Sequence, residues 1–479
     1  MITKSRKTIE SRSAVVLLAV LVVVSLLSLA AYQYSDMVSA ELQAADSSVN
    51  SAQARALAYS GIYYAAAILA DQNSYQGLLN SNPWSNPSAF QGVLVYTDPQ
   101  TGRTGRFTIF APTMDDGTGT TQSVRYGLID ESGKINLNAM LQIDNTGTVL
   151  HNMLMTIANT DPNMTTDVAD SIIDWIDTDD DPRANGAESS YYLGLSPPYR
   201  AKNGPLDSVE ELLLVKGVTP QFLFGTDFNR NWIQDPGEDT GSGWNPGWAS
   251  YFTVYSRERN VDNTGNPRTY LNDTNLQNSY NALSQTLSQA LAQYILLYRT
   301  QNPSSTTGPT TTTITISGNN AAIITGGRPG GRERAATTQE ISDKISEILS
   351  ASGQSRPKSL ASRFDLVNSY VTWTVGTGRN QETVRMNSPL NDQSQLTQYL
   401  PILLDKTTTQ QTQELPARID VNTASKVVLG ALPGLTDSDV ENIIQQRPDP
   451  ANMDPTDPTY QTPAWLYTQA QIPISKLKA

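Results

Sequence analysis

The sequence predicts an α+β fold: a long N-terminal helix resting on a small antiparallel sheet, with a large, mainly helical domain inserted into that sheet. Three observations predict it. Ala14–Ala31 (AVVLLAVLVVVSLLSLAA) is an uncharged apolar run. No proline follows until Pro83, and apolar residues recur every three or four positions through this stretch. Beyond it come short β-type runs, then helical patterns separated by acidic loops.

At ~1.5 Å per residue the apolar run covers ~27 Å, about the hydrocarbon thickness of a bilayer. Lys4, Arg6, Lys7 and Arg12 precede it, with Glu10 as the one acid. That flank stays cytoplasmic and directs the rest outward. Ser28-Leu29-Ala30 also has the small-residue spacing of a signal-peptidase site. The residues after Ala31 favour a retained anchor. Val38, Leu42, Ala45, Val49, Ala52, Ala56, Tyr59, Tyr63 and Ala66 alternate steps of four and three, one stripe of a helix ending near Ala70 or Asp71. Asp36, Glu41, Gln43, Asp46, Ser48, Gln53 and Arg55 fall on its other faces. An apolar half joined to a striped half is the pilin and pseudopilin layout, with the stripe laid on a pilin-like sheet. Strands are predicted at Gly92–Tyr96, Gly105–Phe110 and Val124–Asp130, the last turning at Glu131-Ser132-Gly133 into Lys134–Asn138 as a hairpin.

Composition removes whole classes of function. The 479 residues carry 33 Lys+Arg against 46 Asp+Glu, a net charge of −13, which repels nucleic acid and suits cations or basic partner patches. Without cysteine there is no thiol nucleophile, thiolate metal site or disulfide. The lone histidine, His151, excludes histidine-based triads and His-rich zinc sites and reads as an ordinary helix residue. Carboxylate-only hydrolysis stays open, so a secreted carboxylate-dependent glycosidase is one alternative function.

Two acidic loops have calcium spacing. Asp177, Asp179, Asp181, Asn185 and Glu188 stand at loop positions 1, 3, 5, 9 and 12, with the Arg183 carbonyl at 7. Asp227, Asn229, Asn231, Asp235 and Glu238 repeat the pattern, with the Ile233 carbonyl at 7. Calcium takes six to eight oxygens from a flexible loop, and alternating positions let one chain wrap the ion. Pro182 and Trp232 replace the usual glycine at position 6, so the backbone path differs from an EF-hand. The plain alternative is two solvated turns rich in Asx chemistry. The sequence therefore predicts calcium at both loops, stabilising a densely acidic region.

Ser208–Lys216 with Gly217-Val218-Thr219, and Ala424–Leu432 with Pro433-Gly434-Leu435-Thr436, each read helix, tight turn, new helix. The second continues as Asp437–Gln446 with Thr436 as N-cap. The pattern is similar to nucleic-acid-binding helical hairpins, but Asp437, Asp439 and Glu441 flank the turn where a phosphate binder needs cations. It reads as a packing unit. A further helix is predicted over Tyr280–Arg299, a flexible Thr/Ser/Gly-rich insertion over Pro303–Thr338, a helix at Glu340–Leu349 and a strand at Leu366–Val375. The sheet is either finished by 366–375 or the sequence is truncated.

Several stretches resemble general secretion pathway protein K, the large minor pseudopilin of type II secretion. They are Tyr126–Asn138, Ser171–Asp177 with its acidic run, Tyr199–Leu212, and Arg418–Ser425 with Leu432–Leu435. The resemblance implies a pilin body with an inserted calcium-bearing helical domain, at the tip of a short periplasmic pseudopilus and in complex with two other minor pseudopilins. It also implies cleavage before the apolar run. Ser13 stands where a glycine is usual, which would make Ala14 the mature N-terminus. Leu18 replaces the glutamate found at that place in most fibre subunits, as expected of protein K, so the chain lacks the carboxylate that would pair with the ammonium of a subunit above it.

The expected divisions are a cytoplasmic leader (1–13), a transmembrane helix (14–31), the pilin-like helix and first strands (32–150), a calcium-type helical domain (151–300), a disordered insertion (301–340) and a second hairpin region with a returning strand (341–479). The expected function is a non-enzymatic pseudopilin, single-pass in a bacterial inner membrane with a periplasmic body. Expected partners are other minor pseudopilins, the inner-membrane secretion platform and membrane lipid, with no nucleic acid. A type IV pilus or DNA-uptake minor pilin is the second alternative.

Overall fold

A computed structural model describes residues 10–112, 124–227, 229–230, 235–236, 238, 245, 247–305, 333–351, 356–378, 381–416, 418–448 and 458–478. The chain is mixed helix and sheet and divides into two compact units, Met1–Phe110 and Ala111–Ala479.

In the first unit, α1 is one unbroken helix over Glu10–Ala70, ~90 Å long at ~1.5 Å per residue. Ser13 and Ala14 lie within its backbone. It stops at Asp71, whose carboxylate accepts the Ser74 N–H (2.8 Å) and caps α2 (Gln72–Leu79). A short helix, α3 (Pro87–Phe90), leads to β1 (Val93–Thr97) and β2 (Thr104–Phe107), an antiparallel pair with Val93 opposite Phe107 and Thr97 opposite Thr104.

The helix meets this sheet on a face other than its stripe. Gly61, Ala65 and Ile68 are buried, and Leu57, Ser60 and Tyr64 half-buried. The Phe107 ring lies 5.4 Å from that of Tyr64, and a Cβ on Gly61 would stand 3.1 Å from Phe107 Cδ2. Tyr59, Tyr63 and Ala66 stay exposed. At ~100° per residue the two faces are nearly half a turn apart. The expectation that the stripe lies on the sheet is thus corrected. The glycine at 61 lets an aromatic ring approach the helix backbone closely, and that approach fixes which side docks.

The second unit begins with β3 (Ala111–Pro112), which pairs with β4 (Val124–Arg125). The hairpin predicted between 124–130 and 134–138 does not form. Asp130 instead accepts Ser132 N–H (2.8 Å) and Ser132 Oγ–H (2.6 Å), closing a 3-10 turn over Glu131–Gly133. That turn sends β5 (Ile135–Asn136) inward, parallel to β6 (Phe252–Thr253).

Then come α4 (Leu137–Ile143), α5 (Thr148–Ile157), α6 (Thr166–Ile176), α7 (Ser189–Tyr192) and α8 (Pro220–Phe224). The predicted 208–216 helix is a 3-10 turn, Val209–Leu214. β7 (Arg257–Arg259) and β8 (Thr269–Tyr270) pair with strands much later in the chain.

The predicted 280–299 helix is two, α9 (Leu276–Thr286) and α10 (Gln289–Thr300). Ser288 caps the second, and Leu287 between them is extended and buried, so tertiary packing overrides a continuous helical pattern. β9 (Asn302–Ser305) and β10 (Glu333–Ala335) flank the predicted flexible insertion; its residues 306–332 lie outside the described residues. After α11 (Thr338–Ser350), β11 (Ser369–Val375) and β12 (Glu382–Asn387) complete a four-stranded sheet in the order β10-β12-β11-β9, with β10 parallel to its neighbour.

The chain closes with α12 (Gln393–Lys406), β13 (Thr407–Thr408, on β8), β14 (Glu414–Pro416, on β7), α13 (Lys426–Ala431), α14 (Asp437–Gln446), α15 (Ala464–Thr468) and α16 (Ile474–Lys478). The α13–α14 hairpin turns at Gly434 (φ +82°), and Thr436 with Asp439 forms a capping box.

Two apolar cores result. One joins Ile135, Leu154, Ile172, Trp175, Trp248 and Phe252 to Val428, Ile443, Trp465 and Ile472. The other packs Leu291, Ile295, Val371, Trp373, Val384 and Leu400 around the four-stranded sheet.

Candidate metal centre

Helix α6 carries TDVADSIIDWI, in which Val168, Ile172, Trp175 and Ile176 point into the first core. Asp170 and Asp174, a helical turn apart, share the side that meets the returning loop. Both are buried, at 5% and 0% exposure. The loop from Asp177 doubles back so that Glu188, 1% exposed, comes to rest beside Asp174 and Asp177. Ligand oxygens of these three carboxylates all lie within 4.8 Å of one another. Two contacts shape the return. Arg183 N–H donates to both Asp174 oxygens (3.3 and 3.2 Å), and a Cβ on Gly186 would stand 1.9 Å from Asp174 Oδ2, so only glycine fits there.

Asp170 anchors the loop from outside the cluster. Its carboxylate accepts Arg183 Nε–H (3.0 Å) and, from Asn185, the backbone N–H (3.3 Å) and Nδ2–H (3.2 Å). Lys216 Nζ holds the carbonyls of Asn185 and Gly186 (3.2 and 3.3 Å).

The three carboxylates are electrostatically incomplete. Asp177 Oδ1 and both Glu188 oxygens are buried without a hydrogen-bond partner. Burial pushes the Asp174 carboxyl up to about 6, with the charge of Asp170 adding to it against hydrogen bonds from Arg183 and Ala187. Burial and the charges of Asp179 and Asp174 raise Asp177 to about 6. Glu188 is pushed up to about 8, by burial first and then by Asp174, Asp177 and Asp180. Buried acids that crowd one another and leave oxygens unsatisfied fit a hard cation, which would supply both the charge and the missing partner. Thiolate or imidazole metals find no ligand here.

The predicted ligands divide. Asp177 and Glu188 come together. Asp179 and Asp181 are exposed, with Asp179 Oδ1 accepting Asp181 N–H (3.0 Å) in a local turn. Asn185 is bound to Asp170, and the Arg183 carbonyl accepts Gly186 N–H (3.1 Å). With proline at the turn, the loop does not follow the EF-hand path. The ligand that spacing missed is Asp174, on the helix before the loop; its i−3 relation to Asp177 is the signal that could have found it. Asn203 is a second omission. Its Oδ1 is buried and unpartnered while its Nδ2 bonds Asp180 Oδ1 (3.4 Å) and the Asp179 carbonyl.

In the second loop Asp227 and Glu238 are buried and Asp235 half-buried. Asn229 Nδ2 donates to Asp235 Oδ2 (2.6 Å), and Glu238 Oε2 accepts the Asp235 N–H (2.9 Å). Asn231 and Ile233 lie outside the described residues. Among the described residues no second group of three acidic or histidine side chains reaches the spacing of the first. His151 lies in α5 with Nδ1 3.9 Å from Asp170 Oδ1 and neither nitrogen hydrogen-bonded.

Residues 133–223, which hold this centre, match the first family model of type II secretion system protein K, and residues 419–462, with the α13–α14 hairpin, match the second. A putative type II secretion system protein K of Escherichia coli K12 is 33% identical over 113 residues, 22% of this chain and 33% of that protein. The type II secretion system protein K of Pectobacterium carotovorum is 44% identical over 48 residues (10% and 15%), and that of Klebsiella pneumoniae 47% over 45 residues (9% and 14%). The chain thus spans a third or less of the length of these curated relatives. A GspK-GspI-GspJ complex from enterotoxigenic Escherichia coli contains a chain with 23% identity, covering 36% of this chain and 55% of that one, at a TM-score of 0.25. Both segments occur in order, one around the acidic centre and one on the helical hairpin, and over these two stretches the chain is similar to type II secretion system protein K.

Proposed function

We propose that the protein is a minor pseudopilin that initiates or caps a periplasmic pseudopilus and so promotes protein export, without catalysis of its own. The observation that carries this reading is the continuity of α1: an apolar segment able to cross a membrane runs without a break into a helix that docks on the β1–β2 sheet. In this reading Ala14–Ala31 sits in the inner membrane, the leader is cytoplasmic and cleaved after Ser13, and the body is periplasmic. Neighbouring pseudopilins pack on α1 and draw it from the lipid, with the inner-membrane platform beneath. A leucine at 18 leaves no buried carboxylate to receive the next subunit, which suits the first position in a fibre. The acidic face of the α13–α14 hairpin gives phosphate no purchase, so nucleic acid is not a partner.

Calcium is part of the proposal. Asp174, Asp177 and Glu188 would hold it in the first loop, and Asp227, Asp235 and Glu238 would contribute in the second. The ion would neutralise the buried acids and pin the loop to α6, stiffening the body that partners must recognise.

The test is deletion with complementation in the source organism. Export of folded substrates should stop and return with the wild-type gene; unchanged export refutes the reading. Mass spectrometry of the mature N-terminus checks cleavage between Ser13 and Ala14, and a melt with and without EGTA checks the ion.

A further inference from the structure

The stripe on α1 is left uncovered by the sheet of its own unit. Leu42 is 63% exposed and Tyr63 72%, and between residues 15 and 56 every side chain but the half-buried Val38 faces outward. Its steps of four and three make a strict seven-residue repeat: Leu42, Val49, Ala56 and Tyr63 fall at a, and Val38, Ala45, Ala52, Tyr59 and Ala66 at d. A repeat of seven on a helix of ~3.6 residues per turn drifts so that it stays in contact only with a partner helix in a left-handed supercoil. The seam is therefore cut for one other helix.

The flanking charges say which helix. In this register Glu41 occupies a g position and Asp46 the following e position, on either side of the Leu42–Ala45 contact, and Arg55 is the one cation at a flank. Chains anchored by their N-termini in one membrane are parallel. In a parallel pair, a g residue faces the e residue five positions later on the other strand. Two copies of this chain would set Glu41 of each against Asp46 of the other, two acid–acid contacts with no compensation. Arg55 would face Ser60, which offers it nothing.

We propose that residues 38–63 of α1 form a parallel, left-handed seam with a helix of a different chain, one carrying Lys or Arg at the heptad positions opposite Glu41 and Asp46, and that these two acids exclude self-pairing. This rests on the pseudopilin reading and adds the chemistry by which the neighbour is chosen. The apolar seam supplies the attraction, and the acid pair supplies the rejection of the wrong partner.

The chain has no cysteine, so disulfide trapping is clean. Two full-length versions with different tags are expressed together, both with Ala45→Cys at the d position. One also carries Glu41→Lys and Asp46→Lys and serves as the basic probe. After mild oxidation of membranes at low salt, the mixed disulfide should exceed the native-charge homodimer about fivefold beyond the statistical 1:2:1 ratio, and the excess should vanish near 1 M salt. A statistical ratio at low salt, no disulfide in any combination, or a preference indifferent to salt each overturns the proposal. The substituted positions are exposed on the helix, so the probe folds as the native chain does. Export in a deletion strain tests the underlying reading separately: normal export with a charge-dependent disulfide would leave the seam standing and that reading fallen.

Discussion

Replacing Glu188 by glutamine should have opposite effects with and without calcium. In the metal-free fold Glu188 keeps its proton to about pH 8, against 4.5 for an ordinary glutamate. A raised carboxyl favours the folded state below about pH 4.5, and the advantage is lost as pH climbs towards 8. At ~1.36 kcal/mol per pH step, the folded state has lost roughly 3 kcal/mol from this group by pH 7. Glutamine carries no such burden. The 111–479 unit, at ~2.1 cal/mol/K per residue, converts 3 kcal/mol into a melting shift of about 4 °C. Metal-free E188Q should therefore melt about 4 °C above metal-free wild type at pH 7 and level with it at pH 4. Calcium at ~100 times the Kd of the first loop should raise wild type by a similar amount, ~2.7 kcal/mol, through that loop, and E188Q should lack this share of the shift. Calorimetry in EGTA and in calcium reads all four states. If metal-free E188Q melts at or below wild type at pH 7, or wild type ignores calcium, the reasoning fails.

Wild-type protein in EGTA should lose stability steadily between about pH 4 and 8 in urea titrations, and calcium should flatten that slope, because Asp174, Asp177 and Glu188 are all raised by burial and mutual charge. Gly186→Ala, with its Cβ 1.9 Å from Asp174 Oδ2, should abolish the first loop's share of the calcium-induced melting shift, because that loop cannot return to α6; isothermal titration should then lose one site. Gly61→Leu should cost about 2 kcal/mol by pushing Phe107 off α1, while Gly61→Ala is near neutral; limited proteolysis between Gly92 and Phe107 separates them. Asp439→Ala removes the acceptor of Thr436 N–H (2.7 Å), Thr436 Oγ–H (2.6 Å) and Lys476, and should lower the urea midpoint by an amount equal to about 1–2 kcal/mol.

What could be read from the sequence depended on how local the signal was. The 61-residue helix, the α13–α14 hairpin with its Thr436 cap, the helix from Thr338 and the strand at Ser369–Val375 rest on periodicity and capping residues close together in the chain. Three readings went astray where a distant contact decides. The 124–138 hairpin yields because β5 finds its partner at Phe252–Thr253, more than a hundred residues on. The split at Leu287–Ser288 follows from burying Leu287. The docking face of α1 turns on Gly61, where Phe107 sits.

The candidate centre divides the same way. Loop spacing pointed to Asp177 and Glu188, the two ends of the turn. It could not show that Pro182 and Arg183 carry the middle of the loop onto Asp170, leaving Asp179 and Asp181 in water and bringing in Asp174 from the helix.

The first core has a consequence for how the protein is made. Its two contributions, residues 135–254 and 424–472, are separated by nearly all of the second core, Leu271 to Leu404. In the proposed topology, with the chain threaded outward behind an N-terminal anchor, the first contribution arrives early and the α13–α14 hairpin, which packs with α5, arrives late. Trp248, Phe252 and Ile172 must wait uncovered while some 170 intervening residues arrive, a long-range closure of the slow, aggregation-exposed kind. A cation held early at the acidic loop would brace that half-built layer, so scarcity of calcium should appear first as poor biogenesis and only afterwards as instability of the finished molecule.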